Sequence, residues 1–227
     1  ARAAVQWLAR LHAQYWGARA DEAVEAGLHS DGCFWSLAAS PETAACDGAG
    51  GEGGFEGRLR LAARGIDARL RADRHQTICH GDAKTDNMLF EADGGVCMFD
   101  FQWAGKAPPT KDLAYCSLCV SGAWNDAAQA SFLQGYLDEL SPLLQARGET
   151  PPTMGELRDL FGLSVCDLAR WMTGWQGWST LRASLAQRCA PTLDAIDGDR
   201  RWMPEAMYRD AVFEAFPPDA SPRAAAP

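Results

Sequence analysis

The chain has 227 residues, enough for one sizeable core or one and a half domains. It is 47% hydrophobic and 22% charged, with no apolar run near the length of a membrane span, so it reads as globular and soluble without a membrane partner. Thirty acids against 21 bases give a net charge of -9, which repels phosphate backbones on average and excludes nucleic acid as the expected partner.

Acidity of this size serves solubility first, and it is also compatible with a cationic small molecule. No basic-then-apolar leader opens the chain, and its first residue is Ala1, so the start reads as a trimmed or truncated boundary. The eight cysteines, Cys33, Cys46, Cys79, Cys97, Cys116, Cys119, Cys166 and Cys189, are scattered. Only Cys116 and Cys119 form a CxxC, within a helix-like apolar stretch and without a second pair, so no zinc set is legible. Reduced, buried thiols in a cytoplasmic protein are the expectation.

Residues 3–17 have helical spacing, with Val5, Leu8, Leu11, His12 and Tyr15 on or beside one face and Gly17 as a stop. A histidine on such a stripe is read as a satisfied core residue. Residues 40–57 form the most loop-like segment and contain a literal G-x-G-x-x-G at Gly48, Gly50 and Gly53. A nucleotide-binding glycine loop needs a preceding strand and, in a kinase, a following strand that carries a lysine. No lysine precedes Lys84, so a flexible surface loop is the reading.

Residues 58–73 predict an amphipathic helix with Leu59, Ala62, Ala63, Ile66 and Leu70 on one face. Gln76–Cys79 predicts a short strand. Met88–Phe90 and Val96–Phe99 predict a hairpin turned at Asp93, Gly94 and Gly95. Helices are expected over residues 110–122, 126–146, 155–188 (one long or two adjoining) and 202–215. Residues 217–227 read as a disordered tail, leaving residues 1–216 as the folded part.

Chemistry concentrates between Ile78 and Tyr115. Asp82 and Asn87 lie five residues apart in one loop, and Asp100 follows the hairpin. A carboxylate to orient an attacking hydroxyl and two oxygen ligands for magnesium is a set that phosphoryl transfer needs.

His80-Gly81-Asp82, then Asn87, then Asp100-Phe101-Gln102, then Pro109 and Asp112-Leu113-Ala114-Tyr115, resembles the aminoglycoside phosphotransferase and choline kinase-like group. Within it the chain is most similar to the ecdysteroid kinase-like branch. The segment Trp7 to Gly17 resembles the helix that follows the hinge in those proteins. The resemblance is specific around residues 78–115 and weak after about residue 125. It implies an α+β, mainly helical chain with the protein kinase-like fold, of which this sequence would be the C-terminal lobe with a small central β-hairpin. The N-terminal β lobe, with its glycine loop, strand lysine and helix glutamate, is absent from the sequence. A fragment or natural truncation that binds nucleotide weakly on its own is therefore expected.

The resemblance also implies roles. Asp82 would be the catalytic base, with Lys84 beside the transferred phosphate as a second catalytic residue. Asn87 and Asp100 would hold Mg2+ and, through it, ATP as co-substrate. His80 and Asp112 would support the loop, Asp112 by accepting its backbone N–H groups. Trp103, directly after the DFQ triplet, would lie near the substrate. Trp171 and Trp175, with Trp178, recur on one helix face. They could form a cation–π site aided by Asp167, although a packing stripe is the plainer reading. Gly81 stands where regulated protein kinases carry an arginine, and only eleven residues separate Asp100 from Asp112. Both features point to a small hydroxyl-bearing substrate instead of a protein. The alternative is a pseudokinase-like binding module without activity.

Overall fold

The computed structural model describes residues 2–41, 54–119, 125–174, 181–198 and 203–218. Gly48, Gly50, Gly53, Cys46, Trp175, Trp178 and the tail from residue 219 lie outside the described residues. Helices dominate. In chain order the elements are α1 (Arg2–Gln14), α2 (Ala18–Glu25), α3 (Phe55–Arg71), β1 (Thr77–Cys79), β2 (Met88–Phe90), β3 (Val96–Met98), β4 (Gly105–Ala107), α4 (Thr110–Leu118), α5 (Asp126–Gln145), α6 (Met154–Gly174), α7 (Arg182–Asp197) and α8 (Glu205–Ala215). The chain divides into two compact units, Ala1–Cys33 with His75–Arg158, and Phe34–Arg74 with Asp159–Ser221.

In the first unit α1 packs on α5: Val5, Leu8, Ala9 and His12 recur at helical spacing and are buried, as are Leu133, Tyr136 and Leu140 of α5. The end of α1 is hooked to β1, since Thr77 Oγ1 donates to the His12 carbonyl at 2.7 Å. Where a single central hairpin is expected, two antiparallel pairs occur. β2 pairs with β3 in the register Met88↔Met98, and β1 pairs with β4 in the register Cys79↔Gly105. The segment after α2 lies along β4, with a parallel bridge between His29 and Gly105. Ala20 of α2 closes a small apolar cluster with Ile78 and Ala104.

In the second unit α3, α7 and α8 pack together around Leu59, Ile66, Leu193, Tyr208 and Val212. Arg58 of α3 donates to both oxygens of the fully buried Asp197 in α7, at 2.7 and 2.6 Å, while the Tyr208 hydroxyl of α8 donates to the same carboxylate at 2.9 Å. Arg69 Nη2 donates to the Pro217 carbonyl at 3.1 Å, so the first residue assigned to the tail is tied to α3.

Several boundaries differ from the sequence reading. α3 starts at Phe55, inside the stretch read as loop, with Gly54 as its extended N-cap. The stretch 155–188 resolves into α6 and α7, and α7 runs on through Pro191 to Asp197. α2 and β4 have no counterpart in the sequence reading. No described helix is long and apolar enough to cross a membrane.

Candidate active site

The loop after β1 is built on a buried carboxylate. Asp112, in the first turn of α4, accepts the backbone N–H of His80 on Oδ2 at 2.6 Å and that of Gly81 on Oδ1 at 2.9 Å. Its Oδ2 also meets His12 Nε2 at 3.1 Å, and His12 Nδ1 meets the Tyr136 hydroxyl at 2.8 Å. Helices α1, α4 and α5 are thereby joined to the loop through one chain of polar atoms that is wholly buried. Burial alone would raise the Asp112 pKa, but the His12 hydrogen bond, the charges of His12 and His80 and the Gly81 N–H together lower it. Burial pushes the Tyr136 hydroxyl well up, so it stays a neutral hydroxyl.

His12, Cys79 and Asp112 offer ligand atoms within 4.8 Å of one another. Each of those atoms already has a protein partner, Cys79 Sγ donating to the Pro108 carbonyl at 3.3 Å. The group is bracing, not a preformed metal centre.

His80 is fully buried beneath the loop. Its Nδ1 accepts the Asp82 N–H at 3.3 Å and its Nε2 donates to the Phe99 carbonyl at 2.9 Å, which places a proton on Nε2. That one ring ties the Asp82 loop to the end of the hairpin. Gly81 has φ 85°, and a Cβ there would stand 2.2 Å from the Trp103 carbonyl. Any side chain, arginine included, is excluded by both backbone conformation and space.

Asp82 is buried, and its two oxygens differ. Oδ2 accepts Asn87 Nδ2 at 2.8 Å and Lys84 Nζ at 2.9 Å, whereas Oδ1 is buried without a hydrogen-bond partner among the described residues. Asn87 Nδ2 also donates to the Asp82 carbonyl at 2.9 Å. With its amide nitrogen committed, Asn87 turns its oxygen to the other side. The 3-10 turn Thr85–Asn87 sets this spacing and leads into β2.

Phe99 N–H donates to the Asn87 carbonyl at 3.1 Å, extending the hairpin register by one residue and setting Asp100 next to the Asn87 end of the turn. Asp100 is exposed and adopts φ 66°, a left-handed conformation rare for a residue with a side chain. Gln102 Nε2 approaches its Oδ2 at 3.4 Å. Asp82, Lys84 and Asn87 are thus directly bonded to one another, and Asp100 is held beside them through the hairpin backbone.

The tryptophans separate. Trp103 is half-buried in the first unit and stacks on His29, with ring centroids 5.9 Å apart at 26°. Trp171 belongs to the second unit, is buried, and sits edge-on to Phe34 with centroids at 4.8 Å. It packs as core. Asp167 is engaged by Arg170, whose Nη2 also donates to the Trp35 carbonyl at 2.8 Å.

Sequence reasoning gives no role of their own to three contributors, although Tyr115 closes the motif that begins at Asp112. His12 reads as a core residue from its place on the apolar stripe, which gives no sign of its bond to Asp112. His29 lies in a segment with no pattern at all. Tyr115 is buried near Asp82 and Asp86, and burial followed by the Asp82 charge raises its pKa, which keeps its hydroxyl protonated. Seven described cysteines are free thiols, and burial pushes Cys116 of the CxxC up to about 12.

Searches of curated proteins and of solved structures returned no match. The model of the phosphotransferase enzyme family matches residues 1–157, which include every element of the loop, hairpin and brace just described. A match over more than half of the 227 residues assigns the family, and the chain belongs to the phosphotransferase enzyme family.

Proposed function

We propose that this phosphotransferase uses ATP and magnesium to phosphorylate a hydroxyl group of a small molecule. One observation carries the reading: Asp82 Oδ1 is buried and unpartnered while Oδ2 is fixed by Asn87 and Lys84. A buried carboxylate oxygen without a donor is costly, and an incoming hydroxyl is a donor of the right kind. Asp82 Oδ1 accepts the hydrogen of the acceptor hydroxyl and aims its lone pair. The acceptor oxygen then bonds to the terminal phosphorus of ATP as the bond from that phosphorus to the bridging oxygen breaks. ADP leaves, and the hydroxyl proton passes by way of Asp82 to solvent.

Lys84 is a third exposed, so it can exchange its partner between Asp82 and a phosphoryl oxygen. Asn87 Oδ1 and the Asp100 carboxylate are hard oxygen donors of the kind magnesium takes, and the ion's chemistry is to neutralise charge on the nucleotide phosphates. Gly81 and the eleven residues between Asp100 and Asp112 leave no arginine switch and no long docking segment, which favours a small acceptor. The free thiols suit a reducing, cytoplasmic setting.

The test is ADP release from ATP and magnesium over a panel of hydroxyl compounds, covering sugars, amino alcohols, aminoglycosides and sterols. At least one acceptor should stimulate release by the wild type above its acceptor-free rate, although slowly, since the sequence has no glycine loop or strand lysine to hold the nucleotide. Asp82→Asn, which keeps the shape of the side chain, should lower that stimulated rate by about 10²–10⁴-fold with an unchanged melting temperature. Stimulation retained in Asp82→Asn would remove Asp82 from the reaction.

A further inference from the structure

We propose that His29 is a positioning residue for Asp100, acting through Gln102. The inference rests on the reading of Asn87 and Asp100 as cation ligands.

Asp100 is the least supported member of the candidate site. It is exposed and left-handed, and among the described residues the one hydrogen bond to its carboxylate is the long, 3.4 Å contact from Gln102 Nε2. Where Gln102 sits therefore sets where Asp100 Oδ2 points.

Gln102 is itself held by His29. A carbonyl can only accept, so His29 Nε2 donates to the Gln102 carbonyl, at 3.0 Å. The His29 ring lies over Trp103 at 26°. The His29 backbone brackets the same segment, its N–H donating to the Ala104 carbonyl at 3.3 Å and its carbonyl accepting Lys106 N–H at 2.9 Å. Close approach of the two strands requires Gly105, where a Cβ would stand 2.5 Å from the His29 carbonyl. The backbone bonds do not use the side chain, so a substitution that keeps the residue 29 N–H leaves their donors and acceptors in place. What the side chain adds is a donor to Gln102 and a ring face to Trp103, on the three residues that follow Asp100.

These two additions separate by substitution. His29→Gln keeps a donor at the reach of Nε2 without the ring. His29→Phe keeps the ring without the donor. His29→Ala removes both. The probe is Mn2+ added to the intact chain, with the free-ion electron paramagnetic resonance signal reporting binding, and with melting temperatures measured alongside. Wild type should bind Mn2+ and Asp100→Ala should abolish the binding. His29→Ala and His29→Phe should weaken it about 3–10-fold while melting within a few degrees of wild type, and His29→Gln should stay within about twofold. Equal binding by all three variants, or equal weakening by His29→Gln and His29→Ala, overturns the inference and leaves the cation reading standing. Wild-type binding indifferent to Asp100→Ala overturns the cation reading, and the role of His29 with it.

Discussion

Asp112 is the residue on which the candidate loop rests. It is buried, takes two backbone N–H groups and one imidazole, and has its pKa lowered in the folded state despite the opposing effect of burial. Because the folded value lies below the unfolded one, the stabilisation is complete above the ordinary aspartate range near about 4 and is lost as pH falls through the depressed folded value. Asp112→Asn should thus cost about 2–4 kcal/mol at neutral pH, since an amide leaves one of the buried donors facing another donor. The gap between wild type and variant should shrink as the buffer is taken from pH 7 towards 3. Urea midpoints across that range measure it, and a gap independent of pH would show that the charge of Asp112 is not what the loop uses. This residue also marks what could be read from sequence. Asp82, Asn87, Asp100 and Asp112 stand out in a row as residue types at a spacing. Their partners do not, because His12 lies 100 residues before Asp112, on a helix where its polarity looks like an accident of the apolar stripe.

Elements were legible in proportion to their periodicity. α1, α3 and α5 carry apolar residues at helical spacing, and the hairpin carries a turn rich in glycine between apolar triplets, so each is visible in the sequence. α2 buries only Ala20, and β4 is Gly105-Lys106-Ala107, which has no strand pattern; both exist because β1 and the residues around them supply partners. α7 ran past its expected end because Pro191 does not stop it, and the two carboxylates that fasten it, Asp194 and Asp197, bond a side chain some 136 residues earlier. That fastening makes its own prediction. Arg58 is 15% exposed and Asp197 not at all, so Arg58→Ala leaves a buried carboxylate with the Tyr208 hydroxyl as its remaining donor among the described residues. The loss should be about 3–5 kcal/mol, and Asp197→Asn added to it should restore part, because the uncompensated charge goes. A double-mutant cycle in urea decides; simple additivity would mean that the ion pair does not couple α3 to α7.

At the scale of the whole molecule the chemistry and the charge pull in opposite directions. A phosphotransferase must hold a polyanion, yet this chain carries -9. In the candidate loop the one lysine, Lys84, is already paired with Asp82, and Asp86 and Asp100 stand exposed nearby. Proteins that grip phosphates with lysine and arginine lose affinity steeply as salt rises, because screening weakens each attraction. Here the long-range field is repulsive to a nucleotide, and screening relieves it. On the proposed reading the attraction falls to short contacts with a bound cation, which salt screens much less. ATP affinity should therefore depend on magnesium by at least about tenfold, a difference of ~1.4 kcal/mol, and should change by less than about twofold between roughly 50 and 200 mM NaCl at fixed free magnesium. Calorimetric titration of ATP into the chain, with and without magnesium and at the two salt concentrations, measures both. A steep fall with salt and no response to magnesium would place the nucleotide on surface arginines, away from Asn87 and Asp100.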